Sequence, residues 1–204
     1  MNKKQYLFII GLIIFVTILV YFMLSAKKQE IFDVKTGTLP PLGDPQANIK
    51  IIEFGDFLCP FCAKTITDLY PKINDFINNK KVVFYFRDFV IHPQAIIIHN
   101  AARCANEQGK YWEFNKNIFQ KFLNGVKTFK KENLISLAKE LNLDIQGFEK
   151  CLDENRYNKD IRNDFQDGVR AGVEATPTFF INGKKIVGLD INKIMSTINK
   201  LLNQ

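Results

Sequence analysis

The chain has 204 residues, 47% of them hydrophobic and 13% aromatic, with four cysteines and a formal charge of +7. That length suits one domain, with or without an appendage, and 19 Phe exclude general disorder because buried aromatic surface offsets the entropy of ordering the chain. Four cysteines are too dilute to replace a core, which excludes a small disulfide-stapled scaffold.

From Tyr6 to Leu24 no residue is charged. As a helix, this stretch is about as long as the hydrocarbon core of a bilayer is thick. Lys3 and Lys4 precede it and place the N-terminus in the cytoplasm, although Lys27 and Lys28 add positive charge at the other end. Residues 1–28 are therefore expected to be an N-terminal transmembrane anchor. The competing reading is a cleaved signal peptide, but the apolar region is long for one, and Leu24 stands where a small residue is preferred. On both readings the remainder is exported. Residues 1–28 hold four lysines and no acid, so residues 29–204 carry a net charge of only +3. No basic run there is interleaved with aromatics, and no nucleic-acid partner is expected.

Residues 29–46, with Pro40, Pro41, Gly43 and Pro45, read as a linker with turns. Ile49 to Phe54 is a short β-branched run, hence a mostly buried strand. After Cys59 the positions Cys62, Ile66, Leu69, Ile73 and Phe76 step by four, three, four and three, the spacing of a helix face; Pro71 inside it should kink or divide the helix. Val82 to Phe86 is a second strand. A helical stretch occupies about 92–173, with segments at Ala95–Gln108, Trp112–Phe122, Leu134–Leu141, Ile145–Leu152 and Arg156–Gly172. Thr178–Ile181 and Lys185–Val187 flank Asn182-Gly183, a strong hairpin signal, and Ile191–Leu202 closes the chain as an amphipathic helix. The order predicts an α/β domain over 47–204, a small mixed sheet covered by helices.

Cys59-Pro60-Phe61-Cys62 stands where a strand hands over to a helix. Pro60 suits the first helical turn, where its missing N–H costs nothing. Cys59 then lies at the helix N-terminus, where free N–H groups and the dipole favour a thiolate, the attacking species. Cys62, one turn on, can close an exchangeable disulfide with it. Zinc uses the same spacing but needs two further ligands, and neither Cys104 with Cys151 nor His92 with His99 forms a matching pair; no metal is expected. An inert buried pair is the remaining alternative. His92 and His99 are expected to be a helix cap or a satisfied helix histidine. Thr176-Pro177 directly precedes a strand, a place where proline is tolerated, and X-Pro is the common route to a cis bond. A cis proline facing the cysteines would leave backbone groups free to pair with an extended substrate, whereas an ordinary trans turn proline would not.

The run Ile52-Glu53-Phe54-Gly55-Asp56-Phe57-Leu58-Cys59-Pro60-Phe61-Cys62, followed by Ala175-Thr176-Pro177-Thr178-Phe179, resembles the DsbA family of thioredoxin-fold thiol–disulfide oxidoreductases. The resemblance runs from about Gly43 to near the C-terminus, with the helical stretch matching that family's all-helical insert, and Cys104 to Glu113 resembles a segment of its anchored or exported bacterial branch. It implies Cys59 as nucleophile, Cys62 as resolving thiol, and Pro60, Phe61, Thr176 and the cis Pro177 as substrate-binding positions. Glu53 matches the buried strand acid that assists proton transfer around Cys62; the alternative for it is a strand-edge residue facing solvent. Phe61 replaces the His of the best-known members and cannot donate to a thiolate, so Cys59 is expected to be less acidic, and the disulfide less oxidising, than theirs. With Cys59 and Cys62 paired, Cys104 and Cys151 are left to form a structural disulfide, which an oxidising compartment favours.

The implied activity is dithiol–disulfide exchange, forming disulfides in exported proteins on the periplasmic side of a membrane. The redox-active Cys59–Cys62 pair is the only cofactor-like element. Expected partners are reduced or unfolded exported proteins and a membrane-bound thiol oxidase or quinone reductase as reoxidant, with the enzyme a monomer. Phe57, Phe61 and Pro177 are expected to form an apolar platform for unfolded chains. The alternatives are a disulfide reductase or isomerase, and a membrane-tethered chaperone that binds peptides without redox turnover.

Overall fold

The computed structural model describes residues 2–25 and 31–204, in two units divided at Glu30/Ile31. The first unit is helix α1 (Lys3–Ser25). Its described apolar side chains are exposed all round, Leu7, Ile13 and Phe15 among them. Among the described residues no helix is long and apolar enough to cross a membrane. The side chains of residues 4, 8 and 22–25 lie outside the described set, as do residues 26–30, so the anchor reading of Tyr6–Leu24 and the cleavage-site comparison at Leu24-Ser25-Ala26 fall partly outside it.

The second unit carries β1 (Ile49–Gly55), α2 (Pro60–Lys64), a π-turn (Thr65–Leu69), α3 (Tyr70–Asn78) and β2 (Val82–Asp88). Then come the insert helices α4 (Ile96–Asn106), α5 (Tyr111–Leu123), α6 (Lys131–Glu140), α7 (Ile145–Asp153) and α8 (Asn158–Arg170), and finally β3 (Thr178–Ile181), β4 (Lys184–Val187) and α9 (Ile191–Leu202). The sheet runs β2-β1-β3-β4, with β1 and β2 parallel and the rest antiparallel. Asn182 and Gly183, both at positive φ, turn the β3–β4 hairpin as their sequence signals. A side chain on Gly183 would also meet the backbone of Phe32.

Period-two alternation explains both faces of the sheet. Ile49, Ile51, Val82, Phe84, Phe179 and Ile181 pack toward α3 and α9, while Ile52, Phe54, Val83, Tyr85 and Phe180 pack on the other side with Phe89, Val173 and Phe32. With helices on both faces, β1 reads as an almost continuous apolar run. A third cluster, built on Phe114, Phe119, Phe148 and Leu137, fills the insert and reaches under the cysteines.

Pro71 divides the first helix as expected, and the chain absorbs the break as the π-turn ahead of α3. The linker reading of 29–46 is corrected for its described part. Residues 31–46 pack on the domain: Ile31 bridges to Lys184, Leu42 exchanges backbone bonds with Phe84, and Leu39 is buried. The Pro-rich composition reflects an irregular path, with backbone groups satisfied by the sheet rather than by local structure.

Candidate active site

The loop between β1 and α2 sets the geometry of the cysteines. Asp56 is fully buried and accepts the backbone N–H of Leu58 at 2.7 Å, two residues on, which closes an Asx turn. Its other oxygen accepts the N–H groups of Ile91 and His92 at 2.7 and 2.9 Å, tying this loop to the one that follows β2. The Phe57 N–H donates to His99 Nε2 at 3.4 Å. Gly55 leaves no room for a side chain, because an added Cβ would lie 2.6 Å from the Phe86 ring and 3.3 Å from Glu53 Oε1.

Cys59 is the N-cap of α2 with extended dihedrals, and Pro60 opens the helix. Both thiols are free, with Cys59 5% exposed and Cys62 fully buried. The Thr176–Pro177 bond is cis, and the Cys59 Sγ donates to the Thr176 carbonyl oxygen at 3.2 Å. The Cys59 thiol is lowered from 9.0 to about 6. A hydrogen bond from Cys62 contributes most; burial opposes it, and Thr176 and the N–H groups of Cys62 and Phe61 add to it. The Thr176 hydroxyl is buried without a hydrogen-bond partner among the described residues, which leaves it free to turn to the sulfur once the proton is gone. Cys62 is pushed the other way, by burial first and then by holding its proton toward Cys59.

Glu53 is 1% exposed, so it is no solvent-facing edge residue. It lies between Phe86 and Phe179 on the neighbouring strands, on the side of the sheet that faces the cysteines. Burial raises its carboxyl well above the usual range, a hydrogen bond from Thr65 opposes that shift, and both cysteines interact with it. The site therefore pairs a low-pKa thiol with a high-pKa thiol and a buried acid, an arrangement suited to attack by one sulfur and proton transfer at the other.

Pro60 and Phe61 are exposed, Phe61 by 58%, whereas Thr176 and Pro177 are buried. The platform reading of Phe57 is corrected: its ring is fully buried against His99, Phe119 and Phe86, at centroid distances of 4.6, 4.9 and 5.5 Å. The loop turns the side chain of Phe57 inward, where α4 and α5 supply the aromatic surface. Cys104 and Cys151 form a disulfide joining α4 to α7.

Two features escape the sequence reading. Asp56 carried a signal, an acid at a strand end followed by a tight turn. The buried charge cluster did not. Arg103 on α4 binds Asp88 and Asp164 at 2.6 and 2.7 Å, and Arg87 binds Asp164 and Asp167 at 2.7 Å each. His99 Nδ1 is 2.6 Å from Asp88 Oδ1, so this helix histidine is satisfied on both ring nitrogens. His92 stands at the N-cap of a short 3₁₀ turn but makes no side-chain cap bond; its Nδ1 lies 3.2 Å from Asp56 instead.

A family model described as Thioredoxin matches residues 35–202. Disulfide bond formation protein D of Bacillus subtilis is 29% identical over 172 residues, covering 80% of this chain and 77% of that protein. The crystal structure of oxidised BdbD from Bacillus subtilis superposes with a TM-score of 0.72 at 26% identity, covering 86% of this chain and 98% of that one. The chain belongs to the thioredoxin family, in its DsbA branch. The DsbA-type domain also matches Na(+)/H(+) antiporter NhaA 1 of Salinispora arenicola, 29% identical over 143 residues. That match covers 70% of this chain but spans about a fifth (21%) of the antiporter. The five insert helices α4–α8 lie between β2 and β3, and α4–α7 share one buried cluster with Phe57, Leu58, Cys59 and Cys62.

Proposed function

We propose that this protein is a thiol–disulfide oxidoreductase that forms disulfides in exported proteins. The asymmetry of the two cysteines carries the reading: an acidic Cys59 at a helix N-terminus, and a buried Cys62 beside Glu53. A substrate thiolate attacks Sγ of Cys59 in the oxidised enzyme, and Cys62 leaves as a thiolate that takes its proton from Glu53. A second substrate thiolate then attacks the substrate sulfur of the mixed disulfide. The substrate becomes a disulfide, and Cys59 leaves as the stabilised thiolate. Exposed Pro60 and Phe61 meet the apolar segments of the substrate, and the Thr176-Pro177 segment meets its backbone.

Helix α1 is the membrane anchor in this reading, supported by the uncharged run Tyr6–Leu24 and by exposed apolar side chains around its circumference. It holds the catalytic domain on the periplasmic side as a monomer, within reach of a membrane-bound thiol oxidase or quinone reductase that restores the disulfide. Full-length Cys59→Ala is expected to lose oxidation of a reduced test protein entirely; activity retained in that variant would overturn the proposal.

A further inference from the structure

Glu53 is a buried carboxyl, and among the described residues no cation contributes to its shift. Its cross-strand neighbours are Phe86 and Phe179. The titratable groups facing it are Cys59 at the N-cap of α2, Cys62 on α2 and Tyr70 on α3. The side chain bound to it from the π-turn is Thr65, whose hydroxyl donates to Glu53 Oε1 at 3.2 Å, both residues being 1% exposed.

A threonine inside a helix ordinarily turns its hydroxyl back to a carbonyl three or four residues earlier. Thr17 does so to Ile14 and Thr197 to Lys193. Thr65 gives its hydrogen bond to Glu53 instead. It opens the π-turn one helical turn after Cys62, so the bulge that accommodates Pro71 begins at the residue that reaches the acid.

We infer that Thr65 is the positioning residue for Glu53, holding it beside Cys62 through both of its protonation states. A carboxylate accepts the hydroxyl proton; the neutral acid donates to the same oxygen after the hydroxyl rotates. A Lys or Arg in that place would favour only the ionised form. A group that takes up and returns one proton per exchange needs both forms within reach, and a hydroxyl leaves both available. The inference rests on the proposed role of Glu53.

In resolution of a mixed disulfide, Cys62 gives its proton to Glu53 and its sulfur attacks Sγ of Cys59. The Cys59–Cys62 bond forms as the Cys59–partner bond breaks. The partner leaves as a thiolate, having received the electron pair from the enzyme dithiol.

The test mixes reduced full-length protein with oxidised glutathione and quenches in acid across pH. The first phase, attack by Cys59, reports folding through its rate and pH midpoint, because only the folded site lowers the Cys59 thiol. The second phase, loss of the mixed disulfide, reports Cys62. In Thr65→Val the second phase is expected to slow roughly tenfold at neutral pH, with its acid limb moved up by about one pH unit. Thr65→Ser is expected to restore both. A limb unmoved in Thr65→Val, or a shift that Thr65→Ser fails to rescue, overturns the inference. A limb unmoved in Glu53→Gln overturns instead the role of Glu53 on which it rests.

Discussion

The sulfur of Cys59 lies 3.2 Å from the backbone oxygen of Thr176, 117 residues further along the chain. The contact exists because β1 and β3 are antiparallel neighbours, which brings the start of β3 beside the end of β1 and the cysteine loop. A carbonyl accepts from a thiol but repels a thiolate, so once the proton leaves, the unpartnered Thr176 hydroxyl is the better neighbour. Thr176→Val is accordingly expected to raise the Cys59 midpoint above about 6, by up to about one pH unit. The pH dependence of alkylation at Cys59 measures it. An unchanged midpoint would assign the whole lowering to Cys62 and the α2 N–H groups.

Lowering the Cys59 thiol also links its ionisation to folding. Its folded midpoint of about 6 lies below the unfolded value near 9.0. The reduced folded state therefore binds fewer protons than the unfolded chain between those limits, and the stability contributed rises with pH from about 6 to about 9. Below the lower limit the contribution is gone. The difference in urea stability between reduced wild type and Cys59→Ser should follow that window. Burial, the main cause of the raised Glu53 carboxyl, is common to both proteins and drops out of the comparison; the part of that shift caused by Cys59 stays in it. A difference flat with pH would contradict a stabilised thiolate.

Arg103 joins β2 and two insert helices through buried charges. Burial opposes the ionisation of Asp88, but Arg103 and His99 more than offset it and hold the carboxyl down at about 2. Removing one member of a buried ion network typically costs about 3–5 kcal/mol, because the partners stay buried and unpaired. Arg103→Met is expected to lose about that much stability at pH 7, read by urea unfolding. The gap to wild type should narrow as pH falls from the unfolded value near 3.8 toward about 2, where Asp88 takes up its proton. A loss below about 1 kcal/mol would mean that the cluster is solvated.

Much of the fold is legible in the residues because local signals agree with tertiary need. The step of four and three from Cys62 to Phe76 marks a helix face, Asn182-Gly183 supplies two positive φ values, and the run at Ile49 is buried on both faces. The thiol pair at a helix start is legible for the same reason. What cannot be read locally is the burial of charge. Glu53 in a β-branched run looks like an edge residue until Phe86 and Phe179 are placed on either side of it. Arg87, Asp88, Arg103 and Asp164 look like ordinary solvated positions, because their partners lie on other elements. Phe57 reads as exposed beside the cysteines, but the Asx turn at Asp56 rotates it into the insert. Residues 31–46 lack periodicity, so their docking on the sheet leaves no pattern.

The equilibrium of the Cys59–Cys62 pair with reduced and oxidised glutathione tests the central claim most directly. Stabilising the Cys59 thiolate stabilises the reduced enzyme and makes the disulfide a stronger oxidant. The predicted potential lies above about −200 mV, on the oxidising side of the glutathione pool. A value near the roughly −270 mV of thioredoxin would make the protein a reductant and contradict disulfide formation as its function.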